Sequence, residues 1–150
     1  MLAREIMTPN PECVTEQDDL TRAACIMRDR DVGIVPVVDG NDGMRLTGVI
    51  TDRDIAVRHV AEGHGPGCRV EEAMSRKDLV VVRPDDDVDN VMRRMRERQV
   101  RRVPVVENGR LVGIIAQADL AVDYSDDAEV GLTVERISAP ARPRQERATH

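Results

Sequence analysis

Eight positions of this 150-residue chain return 68 residues later with matching character. Val14, Leu20, Ala23, Ala24, Met27, Val32, Pro36 and Val38 are answered by Val82, Val88, Val91, Met92, Met95, Val100, Pro104 and Val106. Beyond them the spacing falls to 65, pairing Gly48, Ile50, Asp54 and Ile55 with Gly113, Ile115, Asp119 and Leu120. The three-residue difference falls in Asp39-Gly40-Asn41-Asp42-Gly43, a turn-rich loop in which length changes are tolerated. A duplicated unit restricts the fold more than any local motif does. Neither copy is large enough to bury both sides of its own sheet, so the two are expected to close on each other.

Each copy reads as the same succession of elements. Residues 4–7 and 70–74 predict a short helical turn ending in Met, and 13–15 and 79–82 an extended piece. Amphipathic helices follow over about 17–30 and 85–98, with apolar side chains at 20, 23, 24, 27 and at 88, 91, 92, 95. That is the i, i+3, i+4, i+7 spacing of one buried face. Arg22, Arg28 and Arg30, then Arg93, Arg94, Arg96 and Arg98, read as the solvated faces opposite. Strands are expected at 33–38 and 102–106, each holding a proline, which lacks an N–H and suits a strand end or an edge opening on to a cleft. A turn leads to strands at 45–50 and 110–115, and a last helix begins at Thr51 or Ala116. The fold class is therefore α+β: two β-α-β-β-α units about a pseudo-twofold axis, sharing a core. The units are placed at 1–67 and 68–124, joined by the flexible Glu62-Gly63-His64-Gly65-Pro66-Gly67. In 125–150 a short helix near 128–137 and a disordered Pro- and Arg-bearing tail are expected.

Composition narrows the function. The chain has no Phe or Trp and only Tyr124, so its core is Val, Ile, Leu, Met and Ala, and aromatic platforms for single strands are missing. A net charge of −6 argues against a general nucleic-acid binder. No apolar run approaches the roughly 20 residues that span a bilayer, and Met1-Leu2-Ala3-Arg4-Glu5 is not a signal peptide, so the expected setting is cytoplasmic, without a membrane partner. Three cysteines form no C-x-x-C. Cys25, on an apolar helical face, and Cys13 are expected as small core filler. Cys68, four residues after His64, is the alternative with metal in view, and a Cys13–Cys68 bridge is not expected in a reducing cytoplasm.

The local feature with chemical content is Gly48-Val49-Ile50-Thr51-Asp52-Arg53-Asp54. An apolar strand hands over directly to a helix, with Thr51 at the N-cap and Asp54 at N3, a variant of the capping box. Two readings stay open. Thr51 and Asp54 cap their own helix and nothing more, or unpaired backbone N–H groups, a hydroxyl and a carboxylate converge to hold a phosphate and sugar hydroxyls.

Taken in order, Ile6-Met7-Thr8, Val35-Pro36-Val37-Val38, the Gly48 to Asp54 stretch, Val100-Arg101-Arg102-Val103-Pro104-Val105-Val106 and Gly113-Ile114-Ile115 resemble a tandem pair of CBS domains, the regulatory modules named after cystathionine β-synthase. The resemblance covers about residues 1–124. It implies a disc-like pair, often dimerised with a second copy, with adenine-nucleotide sites in the clefts between repeats. It further implies that Thr15 and Ile34-Val35-Pro36 flank a base, that Thr51 faces phosphate, and that Asp54 accepts from ribose hydroxyls, with Arg53 in the same motif. In the second copy Val103, Pro104 and Asp119 hold matching positions, but Ala116 replaces the hydroxyl residue and Gln117 the first acid. The first site is expected to be the better one. Arg101 and Arg102 read equally as phosphate-reaching guanidinium groups or as strand-edge charges.

The expected function is a ligand-sensing module without catalysis or a required cofactor. Its ligand would be AMP, ADP, ATP, S-adenosylmethionine or NAD(H), acting on an unidentified protein partner, with the chain a homodimer. The alternative is a structural or interaction protein whose clefts no longer bind nucleotide, as Ala116 suggests. An enzyme is disfavoured: Asp52 and Asp54, at i and i+2, point apart on a helix, and no Ser or Cys nucleophile has a His nearby in sequence.

Overall fold

The computed structural model describes residues 1–41 and 43–123; the readings placed on Asp42 and on the C-terminal helix and tail lie outside them. Helix α1 (Ala3–Ile6) leads into β1 (Thr8–Pro9), β2 (Val14–Thr15), α2 (Leu20–Arg30), β3 (Ile34–Val38) and β4 (Leu46–Thr51). One α turn, α3 (Asp52–Asp54), then loosens into π-type turns over Ile55–Val60, where the Ala61 N–H reaches the Ala56 carbonyl at 2.9 Å. A 3₁₀ turn (Val70–Glu72) opens the second half, followed by α4 (Val88–Arg98), β5 (Arg102–Glu107), β6 (Arg110–Ala116) and α5 (Gln117–Asp123).

Both amphipathic helices start three residues later than the apolar spacing predicts. Asp19 and Asp87 are the N-caps, their carboxylates accepting from the N–H of Thr21 (2.8 Å) and Asp89 (2.9 Å). An Asp in that role ends the extended chain and starts the helix. Both helices close on a left-handed residue, Asp31 (φ 55°) and Gln99 (φ 52°), again 68 apart. Asn10 (φ 51°) and Asp78 (φ 56°) repeat the same coincidence ahead of the extended segments. The duplication therefore reaches down to individual backbone angles.

Each half carries a three-stranded sheet. In the first, β2 runs parallel to β3 and β3 antiparallel to β4, with Val14 opposite Val37 and Ile34 opposite Thr51. In the second, β5 and β6 are antiparallel, Arg102 lying opposite Ala116, and the third strand is β1 from the chain's start, with Thr8 opposite Ile114. The extended piece at 79–82 contributes only a parallel bridge from Val82 to Val105.

Two cores form in place of one shared core, and each is completed by the other half's opening segment. Ala3 and Ile6 of α1 are buried with Val88, Val91, Met92 and Met95 of α4. Val70, Ala73 and Met74 are buried with Leu20, Ala23 and Met27 of α2. Backbone bonds fix the exchange: Ala3 N–H to Asp86 O at 2.8 Å, and Val70 N–H to Asp18 O at 2.9 Å. Each buried Ile or Met of this kind contributes about 1.5–3 kcal/mol, so neither core is complete without the crossed segment. Where those segments cross the sheets, side chains are excluded. A Cβ on Gly48 would stand 2.3 Å from the Ser75 carbonyl oxygen, and one on Gly113 would stand 2.5 Å from Met7 Sδ.

Candidate functional site

Thr51 is both the last residue of β4 and the cap of the helix that follows. Its Oγ1 accepts from the Asp54 N–H at 3.0 Å, and Asp54 Oδ2 accepts from the Thr51 N–H at 3.0 Å. The capping box read from the sequence is closed in both directions. The remaining donors of that turn are also satisfied: Asp52 N–H donates to the Gly33 carbonyl at 3.0 Å, and Arg53 N–H to the Asp52 carboxylate at 2.8 Å. The expectation of unpaired N–H groups awaiting an anion is thus corrected. What Thr51 still offers is its hydroxyl hydrogen, because the oxygen is the acceptor for Asp54.

Asp54 is only 9% exposed. Besides the Thr51 N–H, its oxygens lie 3.5 Å from the Ser75 hydroxyl and 3.6 Å from Arg58 Nε. Asp119, its counterpart, accepts from the Ala116 N–H at 2.9 Å yet is half-buried and lines an open cleft. Carboxylate access therefore runs opposite to the expected ranking of the two sites.

Among the described residues, clefts open on either side of the line where the halves meet. One, of about 510 Å³, is lined by Thr51, Asp52, Asp31, Gly33 and Ile34 of the first half and by Val100, Arg101 and Arg102 of the second. An adjoining recess of about 260 Å³ adds Lys77, Asp78, Leu79, Val80 and Pro104. The other cleft, of about 410 Å³, brings Ala116 and Asp119 against Ile34, Val35 and Pro36, with Asn10, Pro11 and Glu12 at its side. Each helix tip therefore faces the proline-bearing strand of the opposite half. Pro36 sits where β2 has not yet joined β3, so its missing N–H leaves no ladder position empty.

The predicted site residues divide accordingly. Thr51, Arg101, Arg102 and Pro104 come together at one cleft, and Ile34, Val35, Pro36 and Asp119 at the other, with Ile34 and Arg102 on both. Thr15 joins neither: it pairs with Val38, at the far end of β3 from Ile34, and its N–H is held by Asp18 at 2.8 Å. Val103 points into the core and is fully buried, because residues alternate faces along β5. Arg53 is exposed and lines neither cleft. The segments 10–12 and 77–80 also line the clefts, a role the sequence reading does not assign them. The signal available was Asn10 and Asp78, residue types that tolerate left-handed backbone, standing 68 apart.

Outside the clefts, all three cysteines are free and half-buried, so Cys25 is not the enclosed core residue expected. It lines a surface depression together with Cys13. Burial pushes the Cys13 thiol pKa up. His59 is 5% exposed, with Nε2 2.8 Å from the Gly65 carbonyl and Nδ1 without a hydrogen-bond partner. Among the described residues no three His, Cys, Asp or Glu side chains are placed to hold a metal ion. Among them, too, no helix is long and apolar enough to cross a membrane.

Comparison with known proteins agrees with the duplicated fold. The CBS domain family profile matches residues 3–59 and again 70–125. Hypoxic response protein 1 of Mycobacterium tuberculosis is 38% identical over 138 residues, 92% of this chain and 94% of that protein. Its crystal structure with two coordinated zinc ions superposes with a TM-score of 0.74 at 37% identity, covering 83% of this chain and all of that one. Two ligand complexes are also similar. CBSX2 with AMP has a TM-score of 0.69 at 25% identity, covering 81% and 93% of the two chains. The CBS domain pair of MJ0100 with 5′-methylthioadenosine and S-adenosyl-L-methionine has a TM-score of 0.68 at 28% identity, covering 81% and 94%.

Proposed function

Because this chain belongs to the CBS domain family, we propose that it is a regulatory module that senses an adenine nucleotide or related adenosyl ligand between its halves and thereby modulates a protein partner. The observation that carries this reading is the cleft in which the Thr51 hydroxyl of one half meets Arg101 and Arg102 of the other across the apolar Ile34 and Val100. A hydroxyl donor and guanidinium forks match phosphate, and the apolar walls match a base. That similar chains are known with AMP or with S-adenosylmethionine supports the ligand class. A ligand held by both halves favours one apposition of the two sheets over others, which is how binding reaches a partner without chemistry.

A homodimer in the cytoplasm belongs to the same proposal. Val57 (45% exposed) and Val60 (63% exposed) on the helix behind Thr51 are the surface available to a second copy.

The second reading, an interaction protein without nucleotide, is favoured by one observation: the N–H groups around Thr51 are already satisfied. Thermal shift with AMP, ADP, ATP, S-adenosylmethionine and NAD(H) separates the two. A ligand at a hundred times its Kd stabilises by about 2.7 kcal/mol, which raises Tm by several degrees. No shift with any of the five at millimolar concentration refutes the sensing reading and leaves the interaction protein.

A further inference from the structure

Resting on that reading, we propose that the two clefts take different ligand classes: the Thr51 cleft a phosphorylated nucleotide, the Ala116 cleft an adenosine whose 5′ substituent carries no phosphate. The duplication allows the clefts to be compared position by position. Thr51 corresponds to Ala116, Arg101 to Gly33, Arg102 to Ile34, and Val80 to Glu12. The first, second and fourth of these exchanges remove an anion-binding group from the second cleft or add an acid to it, while Arg102 lines both clefts and Asp78 is answered by the neutral Asn10.

On the Thr51 side, Lys77, Arg101 and Arg102 bring cationic groups, with Asp31, Asp52 and Asp78 as the acids among them. Arg98 spends a donor on the Asp78 carbonyl at 3.1 Å. On the Ala116 side, Arg30 is taken by Glu12, through Nε at 3.0 Å and Nη2 at 3.3 Å. Among the described residues Arg102 then remains the one guanidinium there outside that pair, and it is shared with the other cleft. Ala116 has no hydroxyl to donate to phosphate.

The Ala116 cleft is equipped for a nucleoside instead. Its walls include the apolar Ile26, Val32, Val35 and Ile114, suited to a base. Asp119 accepts the Ala116 N–H on Oδ2 and keeps Oδ1 for ribose hydroxyls. Asp54, the corresponding group, is enclosed by Thr51, Ser75 and Arg58. A thioether or sulfonium at the 5′ position leaves the Arg30–Glu12 pair intact, whereas a phosphate would have to compete with Glu12 for Arg30.

The test is calorimetric titration of the full chain with AMP and with 5′-methylthioadenosine, singly and in competition. Both are expected to bind at once, saturating AMP leaving the thioether's Kd within about threefold. Arg101→Ala is expected to weaken AMP about tenfold or more and to spare the thioether, the loss typical of a charged hydrogen bond. Ala116→Leu fills the second cleft while keeping the backbone bond to Asp119, and is expected to abolish thioether binding alone. Asp119→Asn gives a second route to the same loss, with melting curves confirming that each variant is folded. Mutual displacement of the two ligands, or an equal loss of both on Arg101→Ala, overturns the partition while leaving adenosyl sensing intact. Failure of both to bind overturns this inference, and the five-ligand thermal shift then decides the sensing reading on its own.

Discussion

Replacing Gly48 by Ala puts a methyl group where the second half's opening segment crosses β4. The new Cβ meets the Ser75 carbonyl oxygen at 2.3 Å and Met74 Cε at 2.5 Å, and a carbonyl cannot swing aside as a side chain can. Restoring ordinary contact moves that strand of backbone by about 1 Å, which breaks two hydrogen bonds: Val49 N–H to Ser75 O (3.0 Å) and Ser75 N–H to Val49 O (2.8 Å). Each is worth about 1 kcal/mol, and the overpacking itself about 1–3 kcal/mol, for a loss of about 3–5 kcal/mol. Gly113→Ala is the internal control. Its nearest obstacle is the side chain of Met7, Sδ at 2.5 Å, an unbranched thioether that can turn away, so about 1–2 kcal/mol is expected. Neither glycine has a positive φ, so alanine is judged on the contact alone. Urea unfolding followed by far-ultraviolet circular dichroism reads both values, and Tm falls by about 6–20 °C for the first. A Gly48→Ala protein within about 0.5 kcal/mol of the parent, or a larger loss for Gly113→Ala, refutes the crossing-segment account.

Three further outcomes are expected. Thr51→Ala removes the acceptor of the Asp54 N–H and costs about 1 kcal/mol in urea unfolding, while Ala116→Thr installs that acceptor in the second half and gains about as much. The Arg76 guanidinium, 2.8 and 2.9 Å from the Glu16 oxygens, holds the Glu16 carboxyl below its usual pKa. A depressed carboxyl pKa stabilises above the unfolded-state pKa and loses that contribution as pH falls through the folded one. Arg76→Ala should therefore cost a few tenths of a kcal/mol at pH 7, the pair being half-exposed, and nothing once pH is below both values. Thiol alkylation followed by mass spectrometry at pH 7.5 should find Cys13 slower than a free cysteine, because its raised pKa leaves less thiolate, with the gap narrowing as pH rises.

Some of this protein is legible residue by residue. The buried faces of α2 and α4 follow from apolar spacing, because a helix returns to the same side every three to four residues. The Thr51–Asp54 box is a contact over three residues and needs no tertiary knowledge. The duplication and the family follow from order and repetition alone, and the family profile matches both copies.

Tertiary structure decided the rest, wherever a choice lay between two nearly equivalent surfaces. Helix α1 is four residues long, with only Ala3 and Ile6 buried, and its sequence would suit either half's core. Its placement on the second half depends on contacts more than 80 residues away, such as Ala3 N–H to Asp86 O. The meeting of the two halves sets Pro36 against Ala116 instead of Thr51 and encloses Asp54 beneath Ser75, while the β2–β3 pairing leaves Thr15 at the far end of β3 from Ile34. Local pattern reports period and burial. Which half closes on which is settled only when both copies are folded and their apolar faces meet.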